Sequence, residues 1–140
     1  MSHTYWWSLT GLWFILLMVF LQNFIAAAVH SKKGKTPPGQ VSNNLGHESL
    51  VFRTHRTFHN SLENLAVFVI PVIIGIIIGA DPAVLGAMVW AFALARLGHM
   101  ILYYAIATEK NPSPRSYFFL GGWLINAALY VFVGIRLFIG

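Results

Sequence analysis

The chain has 140 residues, 57% hydrophobic and 9% charged, where soluble domains carry about 25% charged; a water-soluble globule of this size is excluded, and lipid is the natural solvent. The formal charge of +5 does not point to nucleic acid, because the basic residues sit in connections between apolar segments and on one helix face, a distribution that sets topology and attracts small anions. The absence of cysteine excludes disulfides, thiolate metal sites and a protein-borne thiol nucleophile, so any thiol chemistry must use a thiol brought by a substrate.

Four apolar segments follow in order, each near the roughly 20 residues that a transmembrane helix needs. The first spans about 5–29. It is expected to be a membrane span and not a cleaved signal, because its start lacks Lys and Arg and the positive cluster follows it. The connection 30–49 holds Lys32, Lys33 and Lys35 with Pro37-Pro38-Gly39 and Asn43-Asn44, which read as irregular backbone outside the hydrocarbon. The second segment, about 50–78, is polar in its first half (Arg53, His55, Arg56, His59, Asn60, Glu63, Asn64) and almost wholly apolar from Leu65 onward, with Pro71 between its halves as an expected kink. A short Gly79-Ala80-Asp81-Pro82 turn leads to the third, about 83–107, and Glu109-Lys110-Asn111-Pro112-Ser113-Pro114 leads to the fourth, about 116–139, so these neighbours are antiparallel. The chain therefore reads as a single all-α membrane domain, 1–140, folded as a four-transmembrane-helix bundle. With four crossings, loops 30–49 and 108–115 share one side. Their positive charge predicts that this side is cytoplasmic.

At 100° per residue, Arg53, Arg56, Asn60 and Glu63 fall within about 80° on the second helix, and Arg96, His99 and Tyr103 within about 60° on the third. Charge in a membrane costs a few kcal/mol per residue, so both faces are expected to look into the bundle, with Glu63 and Arg96 as a buried ion pair. Two readings of the ladder stand side by side. The pair with Asn60 could simply fix helix register while Arg53 and Arg56 snorkel to headgroups. Alternatively, two arginines with Arg115 opening the fourth helix on the same side leave more cation than one carboxylate satisfies, and the surplus suits a small zwitterionic peptide with excess carboxylate. His55 and His59 are four apart but have no third ligand in register, so no metal site is expected. His99 could be an acid or base but reads rather as a hydrogen-bonded packing residue, and Gly75-Ile76-Ile77-Ile78-Gly79 reads as a small-xxx-small packing face.

Three motifs also carry a family resemblance. The stretch from Arg53 through Arg56 and Asn60 to Glu63 resembles R-x-x-R-x-x-x-N-x-x-E of the MAPEG family, the membrane-associated proteins in eicosanoid and glutathione metabolism. Arg96, His99 and Tyr103 are similar to its R-x-x-H-x-x-x-Y, and Pro112-Ser113-Pro114-Arg115 resembles its proline-containing turn into a fourth-helix Arg. The chain departs at Phe52, where many members carry Glu, and at His59, one place later than their histidine. The resemblance implies a homotrimer in membrane lipids, with glutathione as co-substrate bound between neighbouring subunits. It implies that Arg53, Arg56, Asn60, Glu63 and Tyr103 hold glutathione, that Lys32 or Lys33 adds a cation from the end of the first helix, and that Arg115 is the catalytic residue beside the sulfur. The reaction class so implied is conjugation of the thiolate to a lipophilic small-molecule electrophile, or reduction of a lipid hydroperoxide. The alternative is a non-catalytic lipid-binding membrane protein on the same fold. A channel would need a polar fourth helix, and between Tyr117 and Val133 that helix offers Asn126 alone.

Overall fold

A computed structural model describes residues 3–140 and contains four helices in up-and-down order: α1 Trp6–Lys33, α2 Leu50–Ile77, α3 Pro82–Ala105 and α4 Pro114–Phe138. All four are long and apolar enough to cross a membrane. Large apolar side chains such as Phe20, Phe24, Ile70, Ile77, Leu94, Trp123 and Val131 are exposed on the outer surface, the arrangement expected where the surrounding solvent is lipid. α2 and α3 form the middle of the bundle, α1 packs on both from one flank, and α4 packs on both from the other without touching α1.

The core is built from one stripe of each helix: Leu12 and Ile15 of α1, Phe68 and Val72 of α2, Leu85, Val89 and Phe92 of α3, and Leu129 and Val133 of α4. At its centre the rings of Phe68 and Phe92 stack with centroids 3.7 Å apart and planes 5° from parallel. Small residues set the helix spacing, as bilayer bundles require. A side chain added at Gly11 of α1 would begin 2.6 Å from Val89 Cγ1 of α3.

The ends of the elements follow local chemistry. α1 runs through Lys33, one turn beyond its apolar stretch, because lysine is a good helix former and His30, Lys32 and Lys33 complement the negative end of the helix dipole. Lys32 and Lys33 are therefore exposed helical residues, not loop residues. The expected packing pair Gly75 and Gly79 divides its duties. Gly75 is buried against Leu85 and Val133, whereas Gly79 has φ 71° and makes the turn out of α2. Asp81 then caps α3 by accepting from the backbone N–H groups of Ala83 and Val84, both at 2.9 Å. Tyr5 pins the start of the chain to this turn by donating to the Ala80 carbonyl at 2.7 Å. At the other end of the bundle, Pro114 occupies the first turn of α4 and the Ser116 hydroxyl accepts from Ser113 N–H at 3.1 Å, which fixes the backbone that delivers Arg115.

Candidate functional site

The polar residues of α2 and α3 do not meet as an ion pair. Arg96, 3% exposed, donates through Nη2 to Asn60 Oδ1 at 2.6 Å and to Ser61 Oγ at 3.2 Å. Glu63 is exposed, and the one ion pair among the described residues joins His47 to Glu109. Helix geometry explains the correction. With Asn60 at zero and about 100° per residue, Ser61 lies at about 100° and Glu63 at about −60°. The guanidinium sits between Asn60 and Ser61, so Glu63 is turned away from it. The buried face of α2, which includes Thr57, Ser61 and Phe68, is centred roughly 110° from the Arg53–Glu63 ladder. The ladder thus borders the core instead of facing it. Arg56 is exposed, and Arg53 and Asn60 are half-buried.

α3 behaves differently, because Arg96, His99 and Tyr103 continue the same stripe as Leu85, Val89 and Phe92 and are buried with it. The first turn of α4 brings Arg115 over this stripe. Its Cζ lies 4.3 Å from the Tyr103 ring centroid, a cation–π contact, and its Nη2 donates to the Thr108 carbonyl at 2.9 Å. Arg115 is 8% exposed, and its second terminal nitrogen, Nη1, is buried with no hydrogen-bond partner.

These elements enclose an open cavity of about 270 Å³. Arg56 and Asn60 line it from α2, His99 and Tyr103 from α3, Arg115, Ser116 and Phe119 from α4, and Asn111 from the connecting loop. Four sequence-predicted site residues, Arg56, Asn60, Tyr103 and Arg115, therefore converge, and no carboxylate lines the cavity. Since Arg96 has only donors to offer, Asn60 must turn Oδ1 to it, which leaves the Asn60 amide NH₂ available as a donor. His99 does not fit its expected role as a hydrogen-bonded packing residue. It is buried with Nδ1 unpartnered, its ring 5.3 Å from Tyr103 and 6.1 Å from Phe119.

Three sequence-predicted residues stand outside the cavity. Arg53 spends Nη1 on the carbonyls of His47 and Glu48, at 2.6 and 3.0 Å, and so ties the 34–49 loop to α2. Glu63 is on the exposed side of the ladder, and Lys32 is exposed at the end of α1. The His55 and His59 rings lie with centroids 4.2 Å apart, tilted by 33°, beside a separate small cavity with His30, and no cluster of three or more metal-ligating acidic, His or Cys side chains is found among the described residues.

Two residues that sequence reasoning passed over reach the site from the loops. His47 accepts or donates at Nε2 with the Tyr103 hydroxyl at 2.9 Å, and its Nδ1 lies 2.6 Å from Glu109 Oε2. Glu109 Oε1 also accepts from the His47 backbone N–H at 2.7 Å. These donors hold the Glu109 carboxyl below the usual carboxylate range, the backbone bond contributing most and the ring next. The partners lie 62 residues apart in loops of no regular pattern, so no periodicity could have paired them.

Compared with known proteins, the chain is matched over residues 7–135 by the model described as MAPEG family, which covers nearly all of it. Neither the curated proteins nor the solved structures yield a match.

Proposed function

Since the chain belongs to the MAPEG family, we propose that it is a glutathione-dependent membrane enzyme. It activates the glutathione thiolate for attack on lipophilic electrophiles or for reduction of lipid hydroperoxides. The observation that carries this reading is a cavity lined by two guanidinium groups and two amides, with no carboxylate and with Arg115 Nη1 buried and unpartnered. A site of that composition favours an anion, and glutathione is an anionic peptide at neutral pH.

In this reading Arg56 meets a glutathione carboxylate, the Asn60 NH₂ donates to a peptide carbonyl, and Tyr103 and Arg115 flank the sulfur. A thiol with pKa near 8.5 is mostly protonated at neutral pH. A guanidinium about 4 Å from the sulfur supplies roughly 1–4 kcal/mol between the water and protein-surface limits, which lowers that pKa by about 1–3 units. Arginine suits the task because it does not itself lose its proton. The lipophilic partner fits an apolar groove of about 360 Å³ between α3 and α4, lined by Leu94, Ala95, Tyr117, Phe118 and Gly121. Tyr117 and Phe118 lie in sequence between the cavity residues Ser116 and Phe119, so the first turns of α4 border both sites.

The homotrimer belongs to the same proposal. Arg56 and Glu63 are exposed on a helix bathed in lipid, at a cost of a few kcal/mol each if left uncovered. A neighbouring copy against this ladder would cover them. It would also let Glu63 hold the glutathione ammonium and let Lys32 reach the ligand from the next subunit, with Arg53 supporting the site through the loop. The cytoplasmic placement of loops 30–49 and 108–115 is tested by impermeant thiol labelling of Ser42→Cys in sealed vesicles.

The deciding experiment is titration of the purified protein with glutathione, followed by calorimetry and by thiolate ultraviolet absorbance, for wild type and Arg115→Ala. The expected result is a thiolate band in wild type that is lost in the variant while the peptide still binds. A calorimetric blank with wild type refutes the reading, and binding without any thiolate band points to the non-catalytic lipid-binding alternative.

A further inference from the structure

The contact between the two loops does more than close them. Glu109, when ionised, can only accept hydrogen bonds, so its Oε2 at 2.6 Å requires the proton of a neutral His47 to sit on Nδ1. The lone pair of Nε2 is then aimed at the Tyr103 hydroxyl 2.9 Å away, which must donate to it. The phenolic oxygen is left as an acceptor, inside a cavity otherwise supplied with arginine and amide donors. A purely structural latch would need only the two Glu109 contacts to His47. The third contact connects that latch to a buried cavity residue.

Resting on the glutathione reading, we propose that His47 and Glu109 are positioning residues that make Tyr103 the proton acceptor for the bound thiol. The S–H bond breaks and its proton passes to the Tyr103 oxygen as the phenolic proton moves to His47 Nε2. The electron pair stays on sulfur, giving a thiolate beside Arg115, and the imidazolium is formed beside the Glu109 carboxylate. Nothing is oxidised or reduced, and one proton has moved from sulfur to His47. Glu109 is 66% exposed, so that proton has a short way to water on the loop side of the bundle.

The charged and titratable groups around the relay are consistent with this direction. Arg53 of α2 donates to the His47 carbonyl and fixes the loop from behind, while the Phe52 ring packs edge-on to the imidazole with centroids 4.9 Å apart. From α3, His99 touches the Tyr103 ring, and from α4 the Arg115 guanidinium lies over it. In the 34–49 loop, Glu48 is exposed and directs its carboxylate to the Gly46 N–H at 3.0 Å, not to the imidazole. Glu109 is thus the carboxylate in contact with His47.

The test is stopped-flow appearance of the thiolate band on mixing glutathione with wild type, His47→Gln, Glu109→Gln and Tyr103→Phe, with a pH indicator to follow proton release. Glutamine at position 47 can hydrogen-bond but cannot take up the proton, and Tyr103→Phe keeps the ring beneath Arg115 while removing only the hydroxyl. The expected result is glutathione binding within a few-fold of wild type by calorimetry in His47→Gln and Glu109→Gln. The band should form about a hundred-fold more slowly in His47→Gln and Tyr103→Phe, in the range that positioned acid–base groups contribute. Glu109→Gln should show a smaller loss in the same direction. Wild type that binds no glutathione overturns both proposals. Wild type that forms thiolate at a rate indifferent to His47→Gln and Tyr103→Phe overturns the relay alone and leaves the glutathione reading standing.

Discussion

Asn60 carries two duties on one amide, and substitution can separate them. Its Oδ1 accepts from the buried guanidinium of Arg96 at 2.6 Å, which leaves its NH₂ free to donate at a residue that lines the cavity. In Asn60→Leu the guanidinium keeps only the 3.2 Å bond to Ser61. A hydrogen bond to a charged group is worth about 1.5–3 kcal/mol, and removing a partner from a buried charge costs up to about 3–5 kcal/mol. With Ser61 retained, a loss of about 2–3 kcal/mol is expected. Asn60→Asp keeps an oxygen at the same place and gives Arg96 a true counter-ion, so its stability should stay within about 1 kcal/mol of wild type or rise. The same variant loses the NH₂ donor and adds a negative charge to the proposed anion site, so on the glutathione reading affinity should fall by tenfold or more, the equivalent of at least about 1.4 kcal/mol. Unfolding in mixed micelles and calorimetry on the same samples read the two effects independently. If Asn60→Asp destabilises as much as Asn60→Leu, the oxygen contact is not what holds Arg96. If it binds glutathione as wild type does, the amide does not face the ligand.

Other substitutions probe the scaffold and the loops. Phe68 is wholly buried and stacked on Phe92, so Phe68→Ala should cost about 3–5 kcal/mol in the same unfolding assay; a loss below 1 kcal/mol would contradict the packing. Gly11→Ala places a methyl 2.6 Å from the fully buried Val89, and overpacking of about 1–3 kcal/mol should outweigh the gain of up to about 1 kcal/mol in helix propensity. Gly134→Ala meets nothing within 4 Å and should be neutral or stabilising, so the two alanines must differ in sign. Because the folded Glu109 carboxyl titrates below its unfolded value, its contact with His47 contributes above the unfolded carboxylate pKa and is lost as pH falls through the folded one. The protection factor of the His47 amide should therefore fall in acid in wild type, and should already be low at neutral pH in Glu109→Gln; equal protection in both would show that the carboxylate does not hold the loop.

The helices were legible because lipid imposes a length and a composition on every crossing, and the residues 50–78 expected for the second helix differ from the observed Leu50–Ile77 by one residue. What composition could not supply was the direction of each polar stripe. On α3, Arg96 and Tyr103 share an angle with Leu85 and Phe92, so the apolar residues already indicated that the polar ones point inward. On α2 the ladder and the core stripe diverge by roughly a third of a turn, and treating every membrane charge as core-facing produced the false Glu63–Arg96 pair. The neutral residues Asn60 and Ser61 took that place because they occupy the intervening angle.

The site itself divides along the same line. Arg56, Asn60, Tyr103 and Arg115 could be found because helical spacing and a proline-framed turn fix where they project. His47 and Glu109 could not, since their meeting depends on two irregular loops whose conformations are set by tertiary contacts, among them the Arg53 bonds to loop carbonyls. Arg53 shows why this matters for function. Its position on the ladder suggested a ligand contact, yet its Nη1 hydrogen bonds hold the loop that carries His47 to Tyr103. A cation on such a ladder can thus serve by fixing backbone, and only the carbonyls opposite it distinguish that role from direct binding.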